Sequence, residues 1–204
     1  MTAPKIYREL LVRYNPLGDC QQMIEAANSY LVRGLAAVGP APEMRDKLML
    51  FGQFVGDWDI VEARFPQPDG TEVKKSGEVH FGWILDGRAI QDVWMTHVGT
   101  PSRATTVGTT IRFYDPKIDA WHVIWIAPGR GAIQIFVARL VGEEIVLEGQ
   151  SEDGYPERWI FSEVTTNSFR WRAVESHDNQ STWELTEEMH IQRKPANGDS
   201  LQSP

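Results

Sequence analysis

The sequence predicts an all-β protein, a closed antiparallel barrel of about ten strands that follows an α-helical amino-terminal arm. The first observation is that the chain after residue 55 alternates apolar and polar residues, as strands with one buried face do. The second is that turn-forming pairs interrupt this alternation at short intervals, for example Asp86-Gly87, Asp115-Pro116 and Asp153-Gly154. Closing such a meander removes its exposed edges, and a barrel of this size can hold a small molecule.

The arm is predicted from an amphipathic pattern that precedes the strands. Residues 17–38 are expected to form a helix, because Asp19 and Gln22 are spaced as a capping box and apolar residues recur on one face. A shorter helix is expected over residues 43–53. The apolar stripe of the first helix, which includes Met23 and Leu31, must be covered either by the barrel or by its own copy in a homodimer. We favour the homodimer.

Ten strands are predicted from the alternation, each bounded by turn residues. They cover residues 56–65, 71–84, 88–98, 104–114, 120–127, 131–140, 144–151, 156–164, 168–176 and 182–192. Because the connections are short, strands that are neighbours in sequence should be neighbours in the sheet. The predicted organisation is a helical arm at 1–47, a barrel at 48–194 and a disordered polar tail at 195–204.

Charge and composition exclude several classes of function. The 204 residues carry a formal net charge of -8, and the sequence pI is near 5.1. Such a surface repels phosphate groups, so neither nucleic acids nor anionic membranes are expected partners. The chain has no signal-peptide pattern and no long apolar segment, which favours a cytoplasmic location. A single cysteine, Cys20, excludes an internal disulfide.

Trp58 and Arg193 connect the chain with a known family. A Gly-x-Trp early in the first strand, here Gly56 to Trp58, and an arginine after the last strand form the pattern with which lipocalin-like barrels close their base. The chain resembles a calycin-type family of lipocalin-like barrels, mostly of unassigned function, in the segments 85–94, 108–116, 121–125, 153–154, 158–159 and 169–172. The resemblance covers about residues 48–193. It implies the fold and transfers no catalytic residue.

Charged residues that alternate with large apolar ones are the candidates for a site, because alternate residues of a strand share a face. On the predicted inner faces we place Asp92 with Trp94, and Arg112 with Tyr114. Buried charges are costly unless they are paired, so inward residues of opposite sign would form a network that can orient a polar group of a ligand. Outward, solvated pairs are the alternative.

Later strands contribute further candidates with the same alternation. Glu148 and Arg172 each alternate with valines on their strands, and they are expected to join the network. Arg158 alternates with Trp159, so one of these two side chains points inward, and the sequence does not decide which.

The five histidines lie on different strands without the spacing of metal ligands, so no metal site is expected. His190 lies on a late strand, where some ten-stranded barrels hold haem, but the chain has no other similarity to that group and no cofactor is expected. His122 is the best candidate for a general base. This role requires that its face of the strand lines the cavity, rather than the face of Trp121 and Trp125.

These patterns favour binding of a small, largely apolar or aromatic molecule inside the barrel. The predicted ligand-binding residues are Trp94, Tyr114, Trp125, Glu148, Arg158 and Arg172. A cofactor-free enzyme, such as a cyclase or isomerase, is an alternative, with Asp92, His122 and Arg112 as catalytic residues. An interaction protein with a filled barrel is a third. A cavity carboxyl group with a raised pKa would favour the enzyme, and a filled barrel would favour the interaction protein.

Overall fold

The structure is a computed structural model that describes residues 29–98 and 100–195. The chain divides after Ala36 into two units. In the first unit, helix α1 (Tyr30–Leu35) is capped by Ser29, whose hydroxyl accepts a hydrogen bond from the Val32 N–H at 3.1 Å. One continuous helix over 17–38 was therefore wrong: the extended backbone of Ser29 makes α1 begin at Tyr30, and that of Ala36 ends it three residues earlier than predicted. The part of the predicted arm that precedes residue 29 lies outside the described residues, so the homodimer stays a prediction.

The second unit begins with a short helical region that precedes the barrel. After the two-residue strand β1 (Ala36–Ala37), a 3-10 turn (Pro42–Met44) leads into helix α2 (Arg45–Gly52), close to the predicted 43–53. Helix α2 buries Leu48 and Phe51. The helices in the described part of the chain are too short and too polar to act as membrane-spanning helices.

Ten antiparallel strands then follow one another around a closed barrel, as predicted. They are β2 (Gly56–Pro66), β3 (Glu72–Ile84), β4 (Ala89–Val98), β5 (Thr100–Asp115), β6 (Ala120–Ala127), β7 (Ala132–Val141), β8 (Glu144–Gln150), β9 (Pro156–Ser162), β10 (Ser168–Glu175) and β11 (Glu184–Arg193). Each strand pairs with its neighbours in sequence, and β2 pairs with β11 to close the ring. The largest difference from the predicted bounds is at β5. It begins at Thr100 because its first residues continue the pairing with β4.

One end of the barrel is filled by aromatic side chains from helix α2 and the segment after it. The Phe51 ring meets Trp121 edge-on at 4.9 Å between centroids and Phe161 at 5.8 Å. Phe54 meets Phe169 at 4.8 Å, and all five of these side chains are buried. Helix α2 therefore closes this end, and the space inside the barrel lies on the other side of this aromatic layer.

The contact between Trp58 and Arg193 is confirmed and completes the closed end. The Arg193 guanidinium carbon lies 3.9 Å from the centre of the Trp58 ring. The same guanidinium donates hydrogen bonds to the carbonyls of Gln53, Val55 and Thr166 at 2.8–3.1 Å. Gly56 has a φ of 129°, and a Cβ there would stand 2.7 Å from Arg193 Nη1, so this position requires glycine. The ring of ten strands, the helix-closed end and this stack make the fold lipocalin-like.

Candidate ligand-binding cavity

A cavity of about 400 Å³ lies inside the barrel, between the aromatic layer at the closed end and the loops at the opposite end. Residues from the loops after β6 and β8, among them Arg130 and Glu152, form part of its wall, so this end is its mouth. The volume is within the range of pockets that hold small organic ligands. The barrel is therefore not filled, which removes the main support for the third hypothesis.

Four tryptophans form a continuous band around the cavity wall. Trp125 lies 5.8 Å from Trp94 and 6.1 Å from Trp159, and Trp159 lies 5.4 Å from Trp171, measured between ring centroids. These residues come from β4, β6, β9 and β10, whose inward positions alternate with outward ones. An aromatic or extended apolar ligand would have ring faces and edges available on several sides.

The deeper part of the cavity contains one buried ion pair. Arg112 Nη2 donates to Asp92 Oδ2 at 2.5 Å, and Asp92 Oδ1 accepts a hydrogen bond from the Thr110 N–H at 3.2 Å. The guanidinium carbon lies 5.0 Å from the Phe51 ring centre and 5.2 Å from that of Phe81. Arg112 Nε and Nη1 are shut off from solvent and donate no hydrogen bond to any described residue. The pair balances the two opposite charges at this depth, while the N–H groups of Arg112 Nε and Nη1 have no partner among the described residues.

Several carboxyl groups lie near the mouth of the cavity. Glu157 on β9 stands opposite Glu175 on β10, and Glu187 on β11 stands opposite Ala173 of β10, so three adjacent strands each place a carboxyl group in the cavity wall. Glu157 is buried and accepts hydrogen bonds from two neutral donors, Gln134 Nε2 at 2.6 Å and Trp159 Nε1 at 2.9 Å. Like charges on directly opposed strand positions destabilise a sheet.

Burial raises the pKa of two of these carboxyl groups, Glu187 and Glu157. Desolvation raises the pKa of Glu187 to about 8; the nearby Glu157 raises it further, whereas Arg130 and Lys75 lower it. The Glu187 side chain is only partly buried, but its Oε1 is inaccessible to solvent and accepts no hydrogen bond from a described residue. Burial also raises the pKa of Glu157, while its hydrogen bonds from Trp159 and Gln134 act in the opposite direction.

Replacing Glu187 with glutamine should change how stability depends on pH. In the native protein Glu187 keeps its proton up to about pH 8, whereas the unfolded chain releases it near the ordinary value of 4.5. The stabilisation from this group is thus complete below pH 4.5 and is lost as the pH rises towards 8. We expect Glu187→Gln, relative to the wild type, to gain more than about 1 kcal/mol of unfolding free energy between pH 5 and pH 8, measured by urea denaturation. Glu184→Gln, an exposed position on the same strand, should show no such gain; an equal change in both variants would contradict the assignment.

Three predicted ligand-binding residues lie on the outer face of the barrel. Arg158 pairs there with Glu148 at 2.8 Å and stacks on Trp183, and Arg172 pairs with Glu144 at 2.8 Å. On their strands the inward positions belong to Leu147, Trp159 and Trp171, which line the cavity. The expected inward placement of Glu148 and Arg172 was therefore wrong. Arg158, whose direction the sequence left open, also faces outward, so the alternative of outward pairs applies to all three.

His122 and Tyr114 are also outside the cavity. His122 alternates with the buried Trp121 and Val123, so it faces outward, with its Nε2 at 3.2 Å from Asp115 Oδ2. It cannot act as a base on a molecule held inside the barrel. Tyr114 is on the same face of β5 as Arg112 but lies beyond the deep end of the cavity, where its hydroxyl donates to Asp119 at 2.5 Å.

Four predicted residues do line the cavity together: Asp92, Trp94, Arg112 and Trp125. Their roles in binding or catalysis stay predictions. Sequence reasoning missed Glu157 and Glu187, each of which alternates with a large apolar residue as Asp92 does with Trp94. On β9 this alternation left open whether Trp159 or Arg158 faces inward. Glu157 is two positions before Trp159, and Glu187 two positions before Met189, so each carboxyl group shares a face with a cavity-lining apolar residue.

Within residues 29–98 and 100–195, no three His, Cys, Asp or Glu side chains come together as a metal-binding group. His190, considered above as a haem ligand, is exposed, with its Nε2 3.8 Å from Glu188 on β11. The polar groups of the cavity wall are thus carboxyl, guanidinium, amide and hydroxyl groups, which recognise organic ligands by hydrogen bonds and charge.

No protein-family model matches this chain, and no curated protein sequence is significantly similar to it. The solved structures with a similar backbone include the following two. Rv2717c from M. tuberculosis has a TM-score of 0.49 and 10% sequence identity, covering 76% of this chain and 99% of that one. The S-type phycobiliprotein lyase CpeS from Guillardia theta also has a TM-score of 0.49 and 10% identity, covering 72% of this chain and 91% of its own. The lipocalin-like fold assigned here rests on the strand order and the closed end of this chain.

Proposed function

We propose that this protein binds a small organic molecule with an aromatic or extended apolar body inside its barrel. The observation that carries the proposal is the cavity of about 400 Å³ with four tryptophans around its wall. A space of this size between aromatic side chains has no structural benefit of its own, because cavities lower stability through the packing contacts that they lack. Removing an apolar ligand from water into this space would recover those contacts.

Polar groups at two depths would orient the ligand. Arg112 Nε and Nη1, whose N–H groups have no partner among the described residues, would favour a carbonyl, carboxylate or hydroxyl oxygen at the deep end. At the mouth, Glu187 and Glu157 are acceptors when ionised and donors when protonated. A ligand with polar groups near both ends and an apolar centre fits this distribution.

The proposal is tested with a variant in which a larger side chain on the cavity wall occupies the space for a ligand. Ala173 is buried and lines the cavity, so Ala173→Phe would place a ring in the space that a ligand needs. As a probe we choose naphthalene carrying a hydroxymethyl group, which is neutral and has an aromatic body. Calorimetry should give a dissociation constant of about 10–100 µM for the wild type and a value at least about tenfold higher for Ala173→Phe.

A matched variant on the outer face controls for damage to the strand. Val174→Phe adds a ring next to Ala173 but outside the barrel, so its dissociation constant should stay within about twofold of the wild type. Thermal unfolding followed by circular dichroism verifies that both variants are folded. If the wild type binds neither this compound nor its aminomethyl and carboxymethyl analogues, the proposed function fails. If Ala173→Phe binds the probe as well as Val174→Phe does, the cavity is not the binding site.

A cofactor-free enzyme is the second candidate, and Glu187 is the observation that favours it. A cavity carboxyl group with a pKa near 8 is poised to give or take a proton at neutral pH. It replaces Asp92, which is held in an ion pair, as the candidate acid or base. Mass spectrometry of a compound that copurifies with the protein would separate the two functions. An enzyme converts the compound on incubation and loses this activity in Glu187→Gln, whereas a binding protein releases it unchanged.

A further inference from the structure

The mouth of the cavity has more carboxyl groups than basic groups in its lining. Five carboxyl groups line this half of the cavity: Glu152, Asp153, Glu157, Glu175 and Glu187. The one basic residue of the lining at this end is Arg130, and its Nη2 is paired with Glu152 at 3.0 Å. Neither Glu157 nor Glu187 has a basic side chain of the described residues within ion-pair distance.

Two of these carboxyl groups have oxygen atoms that are shielded from water, which normally requires compensation. Glu157 is 9% exposed, and its hydrogen bonds come from neutral donors only. Glu187 has an oxygen atom that is closed to water and accepts no hydrogen bond from the described chain. Buried carboxyl oxygens without a cationic or hydrogen-bonding partner are rare in folded proteins, and a bound ion is one explanation for them.

Aromatic rings lie next to this group of carboxyls along the same strands. Trp159 follows Glu157 by two positions on β9, and Trp171 precedes Glu175 by four on β10, so each indole lines the cavity one or two steps deeper. A cation placed between indole faces and carboxyl groups is attracted by both, and the attraction is strong where water is excluded. At the deep end, by contrast, Asp92 already balances Arg112.

We propose that the mouth of the cavity is a subsite for an organic ammonium group, formed by Glu157, Glu187 and the indole faces of Trp159 and Trp171. The inference rests on the proposed binding function and names the class of ligand. It is an amine that is protonated at neutral pH, attached to an aromatic or apolar body that occupies the tryptophan-lined space.

The test uses three naphthalene derivatives that differ in one substituent: aminomethyl, hydroxymethyl or carboxymethyl. Titrated calorimetrically into the full chain near neutral pH, the aminomethyl compound should bind at least about tenfold more tightly than the hydroxymethyl compound. The carboxymethyl compound should bind more weakly than either. Because the three share one ring system, the difference isolates the charge of the substituent.

Two conservative variants locate the subsite. In Glu187→Gln and in Glu157→Gln the preference for the amine should fall to about threefold or less, while the affinity for the hydroxymethyl compound stays within about twofold. Glu184→Gln, which removes an exposed carboxyl at the start of β11, should retain the full preference. Glutamine keeps the shape of the side chain, so the variants change charge with little change in packing.

Proton release when the amine binds gives a second readout. It would not occur if Glu187 had only a structural role. An ammonium beside Glu187 favours its ionised form, in the same direction as Arg130 and Lys75 and against Glu157. Near neutral pH the aminomethyl compound should therefore displace a fraction of a proton, seen as a dependence of the binding enthalpy on the ionisation enthalpy of the buffer. The hydroxymethyl compound should displace none, and neither should the amine in Glu187→Gln.

The outcomes separate this inference from the proposed function. If the hydroxymethyl compound binds but the amine gains no advantage, or if the advantage survives in both glutamine variants, the ammonium subsite is wrong while the cavity remains a binding site. If none of the three compounds binds, the proposed function fails, and the subsite fails with it.

Discussion

Arg112→Met is expected to lower the free energy of unfolding by about 3–5 kcal/mol, because the substitution leaves Asp92 buried without its partner. The two side chains are 3% and 6% exposed, and their charged atoms are 2.5 Å apart. Urea denaturation at neutral pH measures the loss. A double variant, Asp92→Leu with Arg112→Met, removes both charges and should recover at least half of the lost stability, because no uncompensated charge remains.

The chain contains a matched control for this effect. Arg88 and Glu43 form an ion pair with the same separation of 2.5 Å, but both side chains are more than half exposed. Because solvent screens exposed pairs, Arg88→Met should cost less than about 1 kcal/mol. Equal losses for Arg112→Met and Arg88→Met would mean that the Arg112 pair is accessible to water, and that it does not form a desolvated part of the cavity wall.

Trp58→Ala is expected to have the second large effect, a loss of about 3–5 kcal/mol. Trp58 is fully buried, its ring meets Phe169 edge-on at 4.9 Å, and its Nε1 donates to the Phe54 carbonyl at 2.7 Å. Removing the indole would leave a cavity at the closed end and withdraw the surface on which Arg193 lies. The substitution should lower the unfolding midpoint in urea with little change in the slope of the transition.

A second arginine–tryptophan stack provides the comparison for Trp58. The Arg158 guanidinium carbon lies 4.1 Å from the Trp183 ring centre, close to the 3.9 Å of the Arg193 stack, but this pair is on the outer face. Trp183→Ala should therefore cost less than about 1 kcal/mol. If both variants lose the same stability, the stack itself accounts for the loss at Trp58, and burial at the closed end contributes nothing.

The sequence was sufficient to predict the barrel because alternation, turn residues and short connections all indicate the same meander. Strand β6 is an example: buried Trp121, Val123 and Trp125 alternate with outward residues, and the strand occupies the predicted 120–127. The contact between Trp58 and Arg193 could be predicted although the two residues are far apart in sequence. It needs an indole at one position and a guanidinium at the other, next to a glycine at position 56. Helix α1 ended early because propensity alone does not fix where a short helix stops.

The cavity residues were predicted on strands with one clearly apolar face and were missed on strands where both faces contain apolar residues. On β4 and β5, Asp92 and Arg112 are the charged members of the buried face, so the aromatic and apolar neighbours identify the inward side. On β9, Ile160 and Phe161 are both buried although they point to opposite faces, so alternation does not distinguish Arg158 from Glu157. The unpaired state of Glu187 depends on contacts across strands, which no local pattern contains.

The most direct test of the central claim is to record the indole N–H signals of ¹⁵N-labelled tryptophan by NMR while the aminomethyl or hydroxymethyl naphthalene compound is added. Trp94, Trp125, Trp159 and Trp171 line the cavity, whereas Trp58, Trp83, Trp121 and Trp183 do not. Ligand binding inside the barrel should shift the four cavity signals in a saturable manner and leave the other four almost unchanged. Shifts confined to Trp183, or spread equally over all eight signals, would contradict a binding site within the barrel.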